Sequence, residues 1–165
     1  MIEAGDIGFA RTTGAMGRMI RLGEWISFRK GDQWNHAFVI DRVENGVAYV
    51  LQATLKGVTN TATLDEVAPG GRYITFAPPE IVMSKELLYF ARKQVGLRYG
   101  YWTIIAIAID IVTWQWFPAF RGARKQSWIC SALVGESLRY GGWLHEWLDI
   151  YTVTPAQLYC ALKIS

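Results

Sequence analysis

The stretch HAFVIDRVENGVAYVLQA, residues 36–53, decides the fold that the sequence predicts. Two runs rich in β-branched and aromatic residues flank Asn45-Gly46, and this dipeptide between such runs is the strongest short-range signal for a β-hairpin. We therefore predict a strand over 36–43, a turn over 44–46 and a returning strand over 47–53. Because hairpin strands run antiparallel, residue 36 is expected to lie roughly opposite the low fifties.

The segments on either side of the hairpin predict strands first and helices afterwards. The expected strands cover 5–9, 57–59 and 72–77, and the expected helices cover 14–30, Ser84 to about Gly96, 130–140 and a last stretch from Pro155. Ser84 and Thr154 are the predicted N-caps of two of these helices. This order is typical of an α+β fold with a mainly antiparallel sheet packed against helices.

The length predicts a single domain, because 165 residues are enough to bury one core. Within 1–165 we expect a strand-rich part of about 1–80 and a helix-rich part of about 81–165. Hydrophobic residues make up 52% of the chain and charged residues 19%, which argues against disorder. The net charge of +3 is too mild for a nucleic-acid binder, so no nucleic acid is expected.

Two segments raise the question of a membrane. Basic residues cluster at Arg11, Arg18, Arg21, Arg29 and Lys30, which fits either a solvated helix face or a surface for phosphate, acidic polymer or anionic lipid. The apolar run 101–117 is short for a membrane span and has Asp110 at its middle, so we expect a buried or lipid-contacting segment instead. The N-terminus shows no signal peptide, and we expect a cytoplasmic protein that could associate with a membrane.

Cys130 is the leading candidate for chemistry because it begins a predicted helix. The unpaired N–H groups and the positive dipole end of a helix N-terminus favour thiolate over thiol, and they can also hold an oxyanion. An inert buried cysteine is the alternative, and this is what we expect for Cys160, which lies among apolar neighbours in a helix. No spacing of cysteine or histidine predicts a disulfide framework, a metal site or a cofactor.

His36 is the preferred base for this thiol, since it begins a predicted strand after a polar loop and could lie at a sheet edge beside a cleft. The other histidine, His145, follows a Gly-Gly stop and has no predicted scaffold. A Cys–His pair needs a third group to orient the imidazole. Gln52, on the returning strand, could accept a hydrogen bond from the ring, although it could equally be a strand-end residue satisfied by water.

Taken together, these residues resemble the circularly permuted branch of the NlpC-type papain-like cysteine hydrolases, the YiiX/LRAT-like branch. Ordinary members carry the cysteine motif first, whereas here the Gly-Asp and histidine motifs precede it. The similar motifs are, in chain order, residues 4–7 (AGDI), 35–40 (NHAFVI), 51–53 (LQA) with 57–58 (GV), 91–100 (ARKQVGLRYG), 130–134 (CSALV) with 141–142 (GG), and 154–158 (TPAQL).

The resemblance implies a role for each of the residues that match it. Cys130 would be the nucleophile, His36 the base and Gln52 the orienting residue, while Tyr99 matches a tyrosine near the oxyanion site. Ser131, Trp34 and Asn35 are the further candidates for contacts to the oxyanion or the substrate. The chain departs from the family pattern at Ile129, where Asp is usual, at Gln52, where His or Glu is common, and at Ala37-Phe38, where Gly is usual.

Three functions remain open at this point. The first is a thiol hydrolase that cleaves an amide, such as a peptide or a peptidoglycan stem peptide, in a phage or bacterial setting. The second is a lipid-directed cysteine acyltransferase or hydrolase, which the aromatic run 101–117 and the basic helix 14–30 favour. The third is a non-catalytic binding module, which the departures at Ile129 and Gln52 favour. The expected partners are a peptide or acyl substrate and an anionic membrane or cell-wall surface, and the oligomeric state is open.

Overall fold

The structure is a computed structural model that describes residues 2–12, 34–78, 81–99, 127–143 and 153–164. The predicted helix over 14–30, the apolar run 101–117 and His145 lie outside the described residues.

Seven strands and four helices occur in the described part of the chain. The strands are β1 (Ile7–Ala10), β2 (His36–Glu44), β3 (Val47–Thr54), β4 (Gly57–Thr63), β5 (Tyr73–Phe76), β6 (Arg98–Tyr99) and β7 (Ser127–Trp128). The helices are α1 (Leu64–Val67), α2 (Ile81–Lys93), α3 (Cys130–Tyr140) and α4 (Pro155–Ile164). No described helix has both the length and the apolar character that crossing a membrane requires.

Five of the strands form one antiparallel sheet in the order β4-β3-β2-β1-β5, and β6 pairs with β7 in parallel. The predicted α+β architecture with a mainly antiparallel sheet is therefore confirmed. β2 is the central strand, because β1 and β3 pair with it on its two sides. The residue that begins β2 is consequently held by the middle of the sheet and not by an edge strand.

The predicted hairpin connects β2 to β3. Asn45 has a φ of 52° and Gly46 a φ of 79°, which are the two positive values that a type I′ turn requires. Asn tolerates this left-handed region better than most residues, and Gly adopts it without a steric penalty. The Asn-Gly pair thus fixes the register that brings the ends of the two strands together, with Glu44 opposite Val47.

At their other ends β2 and β3 diverge. Their described register starts at Val39 opposite Leu51, so residues 36–38 have pairing partners on β1 alone, and Gln52 pairs with Thr59 of β4. A fork therefore opens in the sheet between the start of β2 and the end of β3. We call this feature the β2–β3 fork, and it is bounded by residues 36–38 and 52–54.

Two hydrophobic clusters hold the sheet. The larger one lies between the sheet and the three longer helices, and its members include Ile7, Phe9, Val39, Leu51, Leu87, Leu133, Leu138 and Leu158. The smaller one includes Phe38, Ile40, Val50, Leu64 and Val67. Successive side chains of β2 enter the two clusters in turn, so both clusters hold this strand. Burial of one large apolar side chain contributes about 1.5–3 kcal/mol to stability.

A few local predictions were wrong or incomplete. α2 begins at Ile81, so Ser84 lies inside the helix and is not its N-cap. Ser84 instead packs against Gly5, where an added Cβ would come within 2.7 Å of the serine Oγ. Cys160 is exposed on α4 and not buried. β4 extends to Thr63 and leads directly into α1, a helix that was not predicted.

Candidate functional site

The site is built on the N-terminus of α3. Ile129, the N-cap residue, is extended (φ −97°, ψ 159°) and makes no side-chain capping bond in the described structure. The helix starts at Cys130, as predicted, and its first turn is closed by the N–H of Leu133, which donates to the carbonyl of Ile129 at 3.0 Å. Since an apolar side chain cannot cap the first-turn N–H groups, their partial positive charge is directed at Cys130.

Cys130 lies at the β2–β3 fork beside His36. Cys130 is 4% exposed, and its thiol is hydrogen-bonded to the His36 imidazole. The N–H of Ala37, on the diverging part of β2, also donates to the sulfur, as does the N–H of Ser131. The divergence of β2 from β3 therefore allows a strand N–H group to bind the helix-borne sulfur.

Gln52 holds the opposite side of the imidazole. Its Oε1 lies 2.6 Å from His36 Nε2, and because an amide oxygen can only accept, the ring nitrogen donates. This assigns the proton to Nε2 and leaves Nδ1 for the thiol. Gln52 is itself 7% exposed and pairs with β4, so the ring is oriented by a buried, strand-held side chain.

Opposing effects act on the pKa of each member of the pair. Burial raises the pKa of the Cys130 thiol, but the hydrogen bond and charge of His36, followed by the N–H groups of Ala37 and Ser131, outweigh it and hold that pKa below its usual value. Burial lowers the pKa of His36, but the interactions with Cys130 and then Gln52 outweigh it and raise that pKa. Both directions favour a thiolate–imidazolium pair.

Two of the further predicted residues are buried near the start of α3. Ser131 is 1% exposed, and its hydroxyl donates to the carbonyl of Val153 at 2.6 Å. That bond ties α3 to the segment before α4, so only the backbone N–H of Ser131 faces the thiol. Tyr99 is 7% exposed and pairs with Trp128, two residues before Cys130.

Trp34 and Asn35 precede His36 but differ in their surroundings. Trp34 is partly buried, its ring lies 6.0 Å from that of Tyr159, and its Nε1 has no acceptor among the described residues. Asn35 is 1% exposed and is hydrogen-bonded to Thr12. The prediction that Asn35 contacts substrate is therefore not supported by its position, because a buried side chain turned toward Thr12 does not line an entrance.

Sequence reasoning also missed two contributors to the site. The N–H of Ala37 left no signal, because a backbone donor is available only where β2 and β3 happen to diverge. Asp41 did leave a signal in the sequence, because its carboxylate interrupts the apolar run of β2. It is 2% exposed and pairs with Arg92 of α2 at 2.7 Å and with Arg42 at 2.9 Å, which fixes β2 against that helix.

Comparison with solved structures gives a distant structural likeness. No protein-family model and no curated protein matches the chain. The described geometry is similar to a solved structure, the metalloprotein YiiX from Escherichia coli O157:H7 (DUF1105), with a TM-score of 0.53 and 16% identity. The chain has a YiiX-like fold. The match covers 83% of this chain but 64% of YiiX, so the likeness concerns the fold alone.

The description of YiiX as a metalloprotein raises the question of a metal at this site. Within the described ranges, no three side chains of His, Cys, Asp or Glu converge. Cys130 and His36 offer two donors, and the third neighbour is an amide oxygen that already accepts from the ring. Among the described residues, the start of α3 therefore offers two such donors, Cys130 and His36, which is fewer than a protein metal centre needs.

Proposed function

We propose that the chain is a thiol hydrolase of the circularly permuted, NlpC-type papain-like class, which cleaves an amide bond. The observation that carries the proposal is the connected set Cys130–His36–Gln52, with the thiol at a helix N-terminus and the imidazole hydrogen-bonded to both of the other members. A nucleophile bonded to a base that is itself oriented by a third group is the arrangement that nucleophilic catalysis needs.

The chain order supports the permuted form of this class. The strand with His36 and the strand with Gln52 precede the helix of Cys130, which reverses the order of the ordinary members. The YiiX-like fold is consistent with this branch. Within it the departure at Ile129 is structurally tolerated, because the N-cap position requires an extended backbone and not a particular side chain.

The geometry supports a two-step reaction. The Cys130 thiolate attacks the carbonyl carbon of the amide, and the first-turn N–H groups of α3 stabilise the negative charge that forms on the oxygen. The His36 imidazolium then gives its proton to the departing amine nitrogen as the C–N bond breaks, which leaves an acyl-thioester. Water attacks the thioester, His36 takes its proton, and Cys130 leaves as the thiolate.

The proposed substrate class is a peptide amide, including a peptidoglycan stem peptide. This choice rests on the substrates that many members of the NlpC-type family cleave. The test is turnover of a panel of peptides and stem-peptide fragments by purified protein. We expect Cys130→Ala to abolish cleavage and Cys160→Ala, the matched change at the exposed cysteine of α4, to leave it unchanged. Cleavage by Cys130→Ala at the wild-type rate would overturn the assignment.

A lipid ester is the second candidate substrate, and one surface favours it. Val82 and Tyr89 of α2 are 66% and 51% exposed, and Tyr140 of α3 is also 51% exposed. Lys93 lies over the Tyr89 ring, 4.3 Å from its centroid. Exposed apolar and cationic side chains together suit an anionic lipid surface. Co-sedimentation with anionic vesicles at low salt, lost at high salt or in neutral vesicles, would favour this candidate, and its absence would count against it.

A further inference from the structure

Asn35 forms a compact set of hydrogen bonds immediately before the proposed base. Its Oδ1 accepts from the N–H of Thr12 at 2.7 Å and from the Thr12 hydroxyl at 3.1 Å. Its Nδ2 donates to the carbonyl of Thr12 at 2.9 Å. The N–H of Asn35 donates to the carbonyl of Ala10 at 3.2 Å. We call these contacts the Asn35 clasp.

The clasp joins a residue just after β1 to the residue that directly precedes β2. Thr12 follows β1, and Asn35 precedes β2. By the sequence, 22 residues (13–34) separate them, so Thr12 and Asn35 are not brought together by a short turn. A side chain that binds both the N–H and the carbonyl of Thr12 imitates a strand partner and extends the β1–β2 pairing beyond Ala10 and His36.

The clasp lies directly before residues 36–38, which form one side of the β2–β3 fork. Residues 36–38 pair with β1 but not with β3 in the described register. Their pairing with β1 holds the backbone that carries the His36 ring and the Ala37 N–H, the two groups that reach Cys130 from β2, while Gln52 orients the ring itself. A loss of support beside Ala10 would let residues 36–38 move, because β1 is the one strand that pairs with them in the described register, while the hairpin and the rest of β2 stay paired.

We propose that Asn35 is a positioning residue, whose clasp on Thr12 holds the His36 ring and the Ala37 N–H against the sulfur of Cys130. The inference rests on the proposed function in one respect, which is that Cys130 and His36 act together as nucleophile and base. It gives Asn35 a role through its neighbours and not through contact with substrate. Small displacements matter here, since a shift of about 1 Å in a catalytic group can lower a rate by about a hundredfold.

The experiment measures the thiolate of Cys130 directly. In a Cys160→Ser background, the ultraviolet absorbance of the thiolate is titrated against pH, and the rate of alkylation by iodoacetamide is measured at pH 7. We expect Asn35→Ala to move the appearance of the thiolate to higher pH and to lower the alkylation rate at least about tenfold, because the lowered pKa of Cys130 depends on groups that the clasp holds.

Two controls separate positioning from general stability. Thr12→Val removes only the hydroxyl contact and keeps both backbone contacts, so the titration should stay at the wild-type position. Thr63→Ala weakens the cap of α1 and should lower stability by about 1 kcal/mol without moving the titration. If Asn35→Ala is partly unfolded, Asn35→Ser is titrated in trimethylamine oxide, which favours the folded state.

The outcomes distinguish the two proposals. If the wild-type thiol titrates like free cysteine, the thiolate–imidazolium pair is absent and the proposed function fails. If the wild-type thiolate appears at low pH but Asn35→Ala and Asn35→Ser titrate like the wild type, the positioning role fails and the proposed function stands. A shift in the Thr63→Ala control equal to that in Asn35→Ala would also overturn the positioning role.

Discussion

The Cys130 thiol lies in surroundings that act on its ionisation in opposite senses. It is buried, which disfavours a charge, yet it accepts from an imidazole and from two backbone N–H groups. The balance favours the thiolate only while His36 is present and carries a proton. The reactivity of the site is therefore a property of the pair, and each partner should report on the other when it is changed.

The pH dependence follows from the two pKa directions. The pKa of Cys130 is lowered, so the thiolate forms at a lower pH than in free cysteine. The pKa of His36 is raised, so the imidazolium persists to a higher pH than in free histidine. We expect turnover to form a plateau between these two values, rising on the acid side as the thiolate forms and falling on the alkaline side as the imidazolium is lost.

His36→Ala tests the acid side of that plateau. Without the imidazole the burial of Cys130 is no longer offset by its strongest partner, so the pKa of the thiol should rise above that of the wild type. In the Cys160→Ser background the thiolate absorbance should then appear at higher pH and turnover should be lost. Wild-type titration in His36→Ala would show that the ring does not set the ionisation of the thiol.

Gln52→Glu tests the alkaline side. A carboxylate in place of the amide would put a negative charge beside His36 Nε2 at the position of the present 2.6 Å contact. The opposite charge favours the imidazolium, so the alkaline fall in turnover should move to higher pH. Gln52→Ala should instead lower kcat by about tenfold to a hundredfold, because the ring loses its orientation. An unchanged alkaline limb in Gln52→Glu would place the titrating group elsewhere.

At the scale of elements, the capping box of α1 offers a test that is independent of the chemistry. The Thr63 hydroxyl accepts from the N–H of Glu66 at 3.3 Å, and the Glu66 carboxylate accepts from the N–H of Thr63 at 2.7 Å. Thr63→Ala should lower the free energy of unfolding by about 1 kcal/mol, measured by urea denaturation, and leave turnover unchanged. A loss of turnover would mean that α1 contributes to the site.

Elements with a local signal were predictable from the sequence. The hairpin follows from Asn45-Gly46, and the start of α3 follows from an apolar stripe that begins at Cys130. Thr154 caps α4 as predicted, with its Oγ1 accepting from the N–H of Gln157 at 3.2 Å. The hairpin also brings Gln52 near His36, as predicted, although their side chains meet across the β2–β3 fork and not as a register pair.

Features that depend on distant parts of the chain were not predictable. The β2–β3 fork arises where α3 meets the sheet, and no residue near 36–38 encodes that meeting. Ser84 resembles an N-cap by type, but its small size serves the close approach of Gly5. Asn35 precedes the proposed base and was interpreted as a substrate contact, whereas its partner Thr12 lies 23 residues away.

At the scale of the whole molecule, Asp41 connects three elements. Its carboxylate, on the central strand, accepts from Arg92 of α2 at 2.7 Å and from Asn60 of β4 at 3.2 Å. Arg92 also donates to the carbonyl of Asp41 at 2.8 Å. The strand that begins with His36 is thereby fixed against the helix layer in which Cys130 begins α3, so the network contributes to the spacing of the proposed pair from a distance.

Arg92→Ala tests this connection. Asp41 is 2% exposed, and Arg42 would be its remaining cation in the variant; breaking one partner from a buried carboxylate costs about 3–5 kcal/mol when nothing replaces it. Because Arg42 remains and Arg92 is half exposed, we expect a loss of about 1–3 kcal/mol in urea unfolding. Lys93→Ala, the next residue on α2, is the control and should lower the free energy of unfolding clearly less than Arg92→Ala does, because its ammonium contacts an exposed ring and no buried carboxylate. Equal losses in the two variants would mean that Asp41 does not need Arg92, and that the sheet and helix layers are held in register by packing alone.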